Sequence, residues 1–316
     1  MRLGLDVMGG DFAPDMALEG AVLAVKELPP ETRIVLFGPR QIIEEKLSHY
    51  GAEPDEFEII HAPDTIGMEE SPIKAFSTKP RSSIAVGFKY LKAKRVDSFA
   101  SAGSTGAMFI GTMNSVDRIP GIIRPCISTV VPREDGRNNL LLDVGLNPDS
   151  RADVMYQFGI LGNIYAKSVL KIKKPRIGLL NIGEEEKKGS ILAQSAHQLM
   201  RDSSEFEFVG NVEGIELFQD KADVIVTDGF TGNIVLKQLE AVMTIVQKRG
   251  FKDSYIEKFN YENFGGTPIL GANAPVLIGH GKSTALAIKN MILASKEMVE
   301  SDFVRNLRKA FRTIHL

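Results

Sequence analysis

The stretch Ala222–Lys237, ADVIVTDGFTGNIVLK, leaves few folds open to this chain. It reads as a buried strand over Ala222–Thr227, a polar glycine turn over Asp228–Thr231, and then the start of a helix. Val235, Leu239, Val242 and Val246 follow at steps of four and three, which puts them on one helical face. The same strand–turn–helix order recurs. RIGLLNI, residues 176–182, is a near-continuous apolar run of the kind buried on both faces of a parallel sheet, and GEEEKKGS leads from it into a helix reaching about Asp202. Leu3–Met8, Arg33–Phe37, Phe57–His61, Asp97–Ala100 and Phe206–Val212 read as further strands between stretches of helical period. Ile127–Val131 and Asn139–Val144, joined by the polar turn PREDGRN, read instead as a hairpin. The fold class expected is therefore α/β, three-layer α/β/α, with a mostly parallel sheet and an antiparallel excursion.

Residues 62–80 read as a long connection with little periodicity, and residues 251–264 as aromatic-rich and aperiodic. A single C-terminal helix is expected from about Ser283. A net charge of −2, from 38 Lys and Arg against 40 Asp and Glu, gives no nucleic-acid signal. The single cysteine, Cys126, excludes an internal disulfide and fits a reducing compartment. The N-terminus enters a strand without the charged head and apolar run of a secretion signal, and no apolar run approaches transmembrane length, so a cytoplasmic protein is expected.

In an open parallel sheet the carboxyl ends of the strands gather on one edge, where ligands bind. The turns expected there carry Asp6 and Asp11, then Ser101, Ser104 and Thr105, then Asp143 and Asn147, then Asn181 with Glu184, and finally Asp228, Thr231 and Asn233. Each alone reads equally well as a cap or turn residue. Together they mark an edge suited to an anion, because a helix start offers N–H groups and a partial positive charge. Thr231 is expected as the N-cap, and Gly232 as the place where a ligand approaches the backbone. Lys188 follows three glutamates and reads first as part of a solvated charge run, yet a lysine opening a helix after a buried strand also suits phosphate as a point charge. GHGKST, residues 279–284, resembles the end of a P-loop, but Val276 stands where the first glycine belongs, so the segment reads as a turn and N-cap. The five histidines lack zinc-ligand spacing, and no metal is expected.

The motifs LDVMGGDFAPD, SAGSTGAM, LDVGLNPD, GLLNIGEEEKKGS, ADVIVTDGFTGNIVLK, FGGTPILGAN and IGHGKS, in this order over nearly the whole chain, resemble the PlsX family of bacterial phosphate acyltransferases. The resemblance implies a fold like that of isocitrate and isopropylmalate dehydrogenases and of phosphotransacetylase. It implies a single acyltransferase domain over residues 1–316, with a small antiparallel arm at about 120–140. The implied reaction converts acyl-[acyl-carrier-protein] and inorganic phosphate to acyl phosphate and free carrier protein, in phospholipid synthesis and with no cofactor. The implied partners are acyl carrier protein, inorganic phosphate, a second copy of the chain as homodimer and a membrane glycerol-3-phosphate acyltransferase, with the enzyme at the inner face of the membrane. Lys188 and Asn233 are the positions carried over as catalytic. Asp11, Gly103, Ser104, Thr105, Asn147, Asn181, Asp228, Thr231 and Gly232 are taken as substrate- and phosphate-binding.

The chain departs from the family pattern at Ser104, where asparagine is usual, at Leu146, where alanine is usual, and near Ser77, where arginine is usual. The segment between Gln247 and Phe264, elsewhere a membrane-contacting helical hairpin, is short here. A dehydrogenase on the same fold, a coenzyme A-dependent phosphotransacetylase and a non-catalytic scaffold stand as the alternatives.

Overall fold

In the computed structural model, which describes residues 1–314, the chain packs as two compact units. One comprises Met1–Arg118 with Tyr261–Ser301, the other Ile119–Asn260 with Asp302 onward. In chain order the first opens with β1 (Arg2–Asp6), α1 (Asp15–Val25), β2 (Arg33–Gly38), α2 (Arg40–His49), β3 (Glu58–His61), α3 (Pro72–Thr78), α4 (Ser83–Lys92), β4 (Ser98–Ser101) and α5 (Thr105–Ser115). The second continues with β5 (Cys126–Pro132), β6 (Asn138–Leu142), α6 (Ala152–Ser168), β7 (Arg176–Leu180), α7 (Ile191–Arg201), β8 (Glu207–Val212), β9 (Val224–Val226), α8 (Gly229–Lys248) and α9 (Ser254–Glu257). The chain then returns to the first unit for β10 (Thr267–Leu270), β11 (Val276–Ile278) and α10 (Ala285–Glu300), and ends in the second with α11 (Phe303–Ala310).

The first unit's strands lie in the order β3-β2-β1-β4-β11-β10, parallel except for β10 against β11. Its strands are almost wholly buried, and Phe37, Phe88 and Phe99 stack edge to face beneath them. The helix pairs α1–α10 and α4–α5 pack on this sheet. The second unit's order is β5-β6-β9-β7-β8, with β5 antiparallel to β6 and the rest parallel. The expected hairpin is thus present, and the mixed, mostly parallel α/β class is the one observed. The antiparallel pair β10–β11 is an addition to what the sequence suggested.

Three elements differ from expectation. Pro72 at a first helical position starts α3 inside the stretch read as a plain connection. The expected single C-terminal helix breaks at Asp302, whose φ of 55° is left-handed, giving α10 and α11. The aperiodic stretch after residue 250 contains the short α9, capped by the Asp253 carboxylate. Among the described residues no helix is long and apolar enough to cross a membrane.

Candidate active site

Three turns meet at the carboxyl edge of the second unit's sheet because β6, β9 and β7 run parallel in adjacent positions. Leu142 and Leu179 both stand opposite Val226, so the turns that follow these strands leave side by side.

Asp228 builds the β9 turn. Its carboxylate accepts the N–H of Thr231 at 2.8 Å and the Thr231 hydroxyl at 2.7 Å. That is N-cap geometry with Thr231 at N3, so Asp228, and not the expected Thr231, caps α8. The Gly232 N–H donates to the Asp228 carbonyl at 3.0 Å, and the Gly229 N–H to the Asn147 carbonyl at 2.9 Å. The amide of Gly232 and the hydroxyl proton of Thr231, expected to face an anion, are therefore already engaged. Gly232 is needed for another reason. A methyl group on it would stand 1.9 Å from the Asp143 carbonyl oxygen, so the neighbouring turn fills the space expected for a ligand.

Asp143 organises that neighbouring turn. Its buried carboxylate accepts the N–H groups of Ile127 at 2.9 Å and Asn147 at 2.6 Å, and the Asn147 side-chain amide at 2.8 Å. Burial pushes its carboxyl above the usual range, and these donors pull it back. Asn147 is buried too, and its amide also donates to the Pro125 carbonyl at 2.8 Å, so it braces the turn from below. Gly145 lies under Asn233: a methyl on it would come within 3.4 Å of the Asn233 Cγ and Oδ1. The Asn233 carboxamide is thus at the turn's surface and is exposed.

The β7 turn presents Lys188. Asn181 Oδ1 accepts the Ile182 N–H at 2.9 Å, and its Nδ2 donates to the Lys188 carbonyl at 3.2 Å. The Lys188 stem passes over Gly183, and its side chain is exposed. Among the described residues no side-chain hydrogen bond or ion pair engages the Lys188 ammonium or the Asn233 carboxamide. Asn147, Asn181, Asp228 and Thr231, in contrast, all use their polar atoms to hold the turns. Asp143 was read from sequence only as one of the edge residues, not as the organiser of its turn. Its signal is an aspartate directly after the apolar run Leu140–Leu142, with an Asn four residues on.

The first unit gathers its own strand-end cluster. Asp6, buried at the end of β1, accepts the Ser101 hydroxyl at 2.6 Å, and the Gly103 N–H donates to the Ser101 oxygen at 2.9 Å. Ser104 caps α5 by accepting the Ala107 N–H at 3.4 Å, and Thr105 is the first, exposed residue of that helix. The Asp11 N–H donates to the Gly281 carbonyl at 2.7 Å, and Thr284 caps α10, so the P-loop-like segment is the turn and cap expected. Asp11, Gly103, Ser104 and Thr105 thus belong to one unit, and Lys188, Asn233 and the other predicted residues to the other. Cys126 is fully buried, and burial pushes its thiol well up, so it has no thiolate to offer as a nucleophile. Among the described residues no group of three or more His, Cys, Asp or Glu side chains is arranged to hold a metal ion.

Comparison with known proteins gives concordant results. A family model described as "Fatty acid synthesis protein" matches residues 1–306. A phosphate acyltransferase of Dictyoglomus turgidum is 37% identical, with 99% of this chain and 98% of that protein covered. A phosphate acyltransferase of Halothermothrix orenii is 39% identical, with 96% of each covered. Among solved structures, a phosphotransacetylase from Streptococcus pyogenes superposes with a TM-score of 0.66 at 17% identity over 94% of each chain. A 4-hydroxythreonine-4-phosphate dehydrogenase from Klebsiella pneumoniae gives 0.60 at 14% identity over 94% of this chain and 99% of its own. At those identities the structural likeness speaks to fold alone, and it is the fold class expected.

Proposed function

The chain belongs to the PlsX family, the phosphate acyltransferases matched by the fatty acid synthesis family model, and from that membership we propose that it transfers the acyl group of acyl-[acyl-carrier-protein] to inorganic phosphate, supplying acyl phosphate to phospholipid synthesis. The observation that carries the reading is a pair of polar side chains without a partner among the described residues, Lys188 on the turn after β7 and Asn233 in the first turns of α8 after the adjacent parallel strand β9. A phosphate oxygen attacks the thioester carbonyl carbon, and the thiolate departs from the tetrahedral intermediate. Lys188 offsets the charge of phosphate as a point charge. The Asn233 carboxamide orients the phosphate or donates to the oxyanion. Holding the two reactants in line supplies much of the remaining rate.

The braced turns mean that little reorganisation is left for the moment of reaction. Asn147, Asn181, Asp228, Thr231 and Gly232 serve here chiefly by shaping the edge on which substrate sits. Asp11, Gly103, Ser104 and Thr105 stand as proposed substrate contacts of the first unit. No enzyme-bound acyl intermediate is required, in keeping with the burial of Cys126. Hydroxylamine trapping of acyl phosphate, after incubation with acyl carrier protein thioester and phosphate, tests the reaction. An acyl-coenzyme A donor run in parallel tests the carrier: equal or faster turnover with coenzyme A would replace this reading with a phosphotransacetylase.

We further propose a homodimer, with acyl carrier protein and a membrane glycerol-3-phosphate acyltransferase as partners in the cytoplasm at the membrane's inner face. Self-association is favoured by α8, where Phe230, Ile234, Val242 and Ile245 recur on one helical face and are each 41–60% exposed.

A further inference from the structure

Beneath the loop that carries Lys188 lie two buried polar side chains that the reaction does not use, Asn211 on β8 and His197 on α7. Asn211 Nδ2 donates to the Glu185 carbonyl at 2.9 Å, and the same carbonyl accepts the Lys188 N–H at 3.0 Å. A longer contact, 3.4 Å, reaches the Glu184 carbonyl. On the other side of the same residue, Asn181 Nδ2 from the end of β7 donates to the Lys188 carbonyl. The peptide groups on both sides of Lys188 are thus held, one directly and one through Glu185.

Because the Asn211 amide nitrogen faces carbonyls, its Oδ1 is the acceptor for His197 Nδ1, 2.9 Å away, and that ring nitrogen carries the proton. The Glu184 and Glu185 carbonyls thus set which way the Asn211 amide points, and His197 holds its oxygen from the other side. Its ring also meets Phe208 edge to face, 5.1 Å between centroids. Phe208 and Asn211 are three residues apart on one strand, where strict alternation would send them to opposite faces. Both reach His197 because β8 carries an extra residue. Ile177 pairs with Phe208, but Leu179 pairs with Asn211, and Gly210 takes a φ of 90°. A bulge of this kind re-aims the side chain that follows it.

We propose that Asn211, held in place by His197, is a positioning residue that holds the backbone of Lys188 and so keeps its ammonium at the sheet edge. The inference rests on the acyl-transfer reading for its consequence but not for its geometry, and the test separates the two. Hydrogen exchange over residues 182–190 is measured by mass spectrometry for the natural protein, Asn211→Ala and His197→Ala, with thermal unfolding as the check on folding. Losing the grip is expected to speed exchange in that segment about tenfold in Asn211→Ala, the equivalent of one hydrogen bond, and less in His197→Ala. In turnover, Asn211→Ala is expected to lower kcat/KM for phosphate by about tenfold. It should lower it no further in a Lys188→Ala background, whereas a general structural role would add to that loss.

Natural-rate exchange across 182–190 in a folded variant overturns the proposal, and so does an additive loss in the double variant. Should Asn211→Ala fail to fold, His197→Ala is judged by the same two readouts. An inactive natural protein would remove the acyl-transfer reading, while the exchange measurement would still judge the positioning.

Discussion

Lys188 and Asn233 are the residues on which the proposed chemistry depends most directly. Each presents a polar group at the sheet edge with no partner among the described residues, so removing it should change the proposed reacting environment with little effect on folding. Lys188→Ala and Asn233→Ala are each expected to lose about 10²-fold or more in kcat/KM, the scale of a lost oxyanion donor, with an unchanged unfolding midpoint. Near-natural turnover in either variant would take that residue out of the scheme. Neighbouring Thr231 teaches the opposite lesson. From sequence it reads as an exposed cap with a hydroxyl to offer, yet the Asp228 carboxylate takes both its N–H and its hydroxyl. Which of two polar residues three apart caps a helix depends on where the helix starts, and the first apolar-periodic residue, Val235, lies too far downstream to say. Residue types at the edge were therefore legible. Their division into contacts and braces was not, because it is decided by hydrogen bonds between turns far apart in the chain.

At the scale of elements, α8 joins the site to the rest of the second unit. Its first turn is pressed against the Asp143 turn, with Gly232 where a methyl would overlap the Asp143 carbonyl oxygen. Gly232→Ala must push the helix start away from β6, costing about 2 kcal/mol or more and lowering the unfolding midpoint by about 5 °C. Unaltered thermal stability would mean that the two turns are less tightly opposed than described. Farther along, α8 buries little, and its apolar stripe is the surface offered for the proposed homodimer. Placing a charge in that stripe, as in Ile245→Lys, is expected to weaken self-association by at least about 30-fold, the scale of a lost interfacial anchor. Sedimentation velocity over a concentration series reads this directly, and a dimer of natural strength would assign the interface elsewhere. The periodicity of α8 was plain in the sequence, but the face it marked, Val235, Leu239, Val242 and Val246, shares only Val242 with the exposed stripe. Elements with a strong apolar run, such as β2 and β7, were found close to where the pattern put them. The short α3 and the break at Asp302 rest on local backbone geometry that carries no period.

At the scale of the whole molecule, a charged network and the proposed reaction edge lie at opposite ends of the same strands. At the amino edge of β6, β9 and β7, the guanidinium groups of Arg133, Arg137 and Arg176 meet the carboxylates of Asp135, Asp220 and Asp223, far along the strands from Lys188 and Asn233. Hydrogen bonds from Arg176 first, then from Arg133 and Arg137, hold the Asp220 carboxyl well below the usual carboxylate range. A carboxyl of depressed pKa binds fewer protons folded than unfolded. Its contribution is therefore complete above the unfolded value near 4 and is lost as pH falls toward the folded one. Asp6 and Asp143 work with the opposite sign. Burial raises both, so acidification from above their folded pKa toward about 4 adds stability before the network begins to fail. The unfolding midpoint is thus expected to hold or rise slightly on mild acidification and then to drop steeply below about pH 4. Arg176→Met removes two hydrogen bonds of 3.1 Å to the buried Asp223 as well as the contact to Asp220. It is expected to cost about 2 kcal/mol at neutral pH, roughly 5 °C in midpoint, and to make the drop below pH 4 shallower. Because the network is remote from the site edge, kcat/KM measured well below the midpoint should stay within about twofold of the natural value, as for sites without shared partners. A large loss of turnover at full folding would show that the two ends of these strands are coupled, and an acid limb as steep as before would place the titrating groups outside the network.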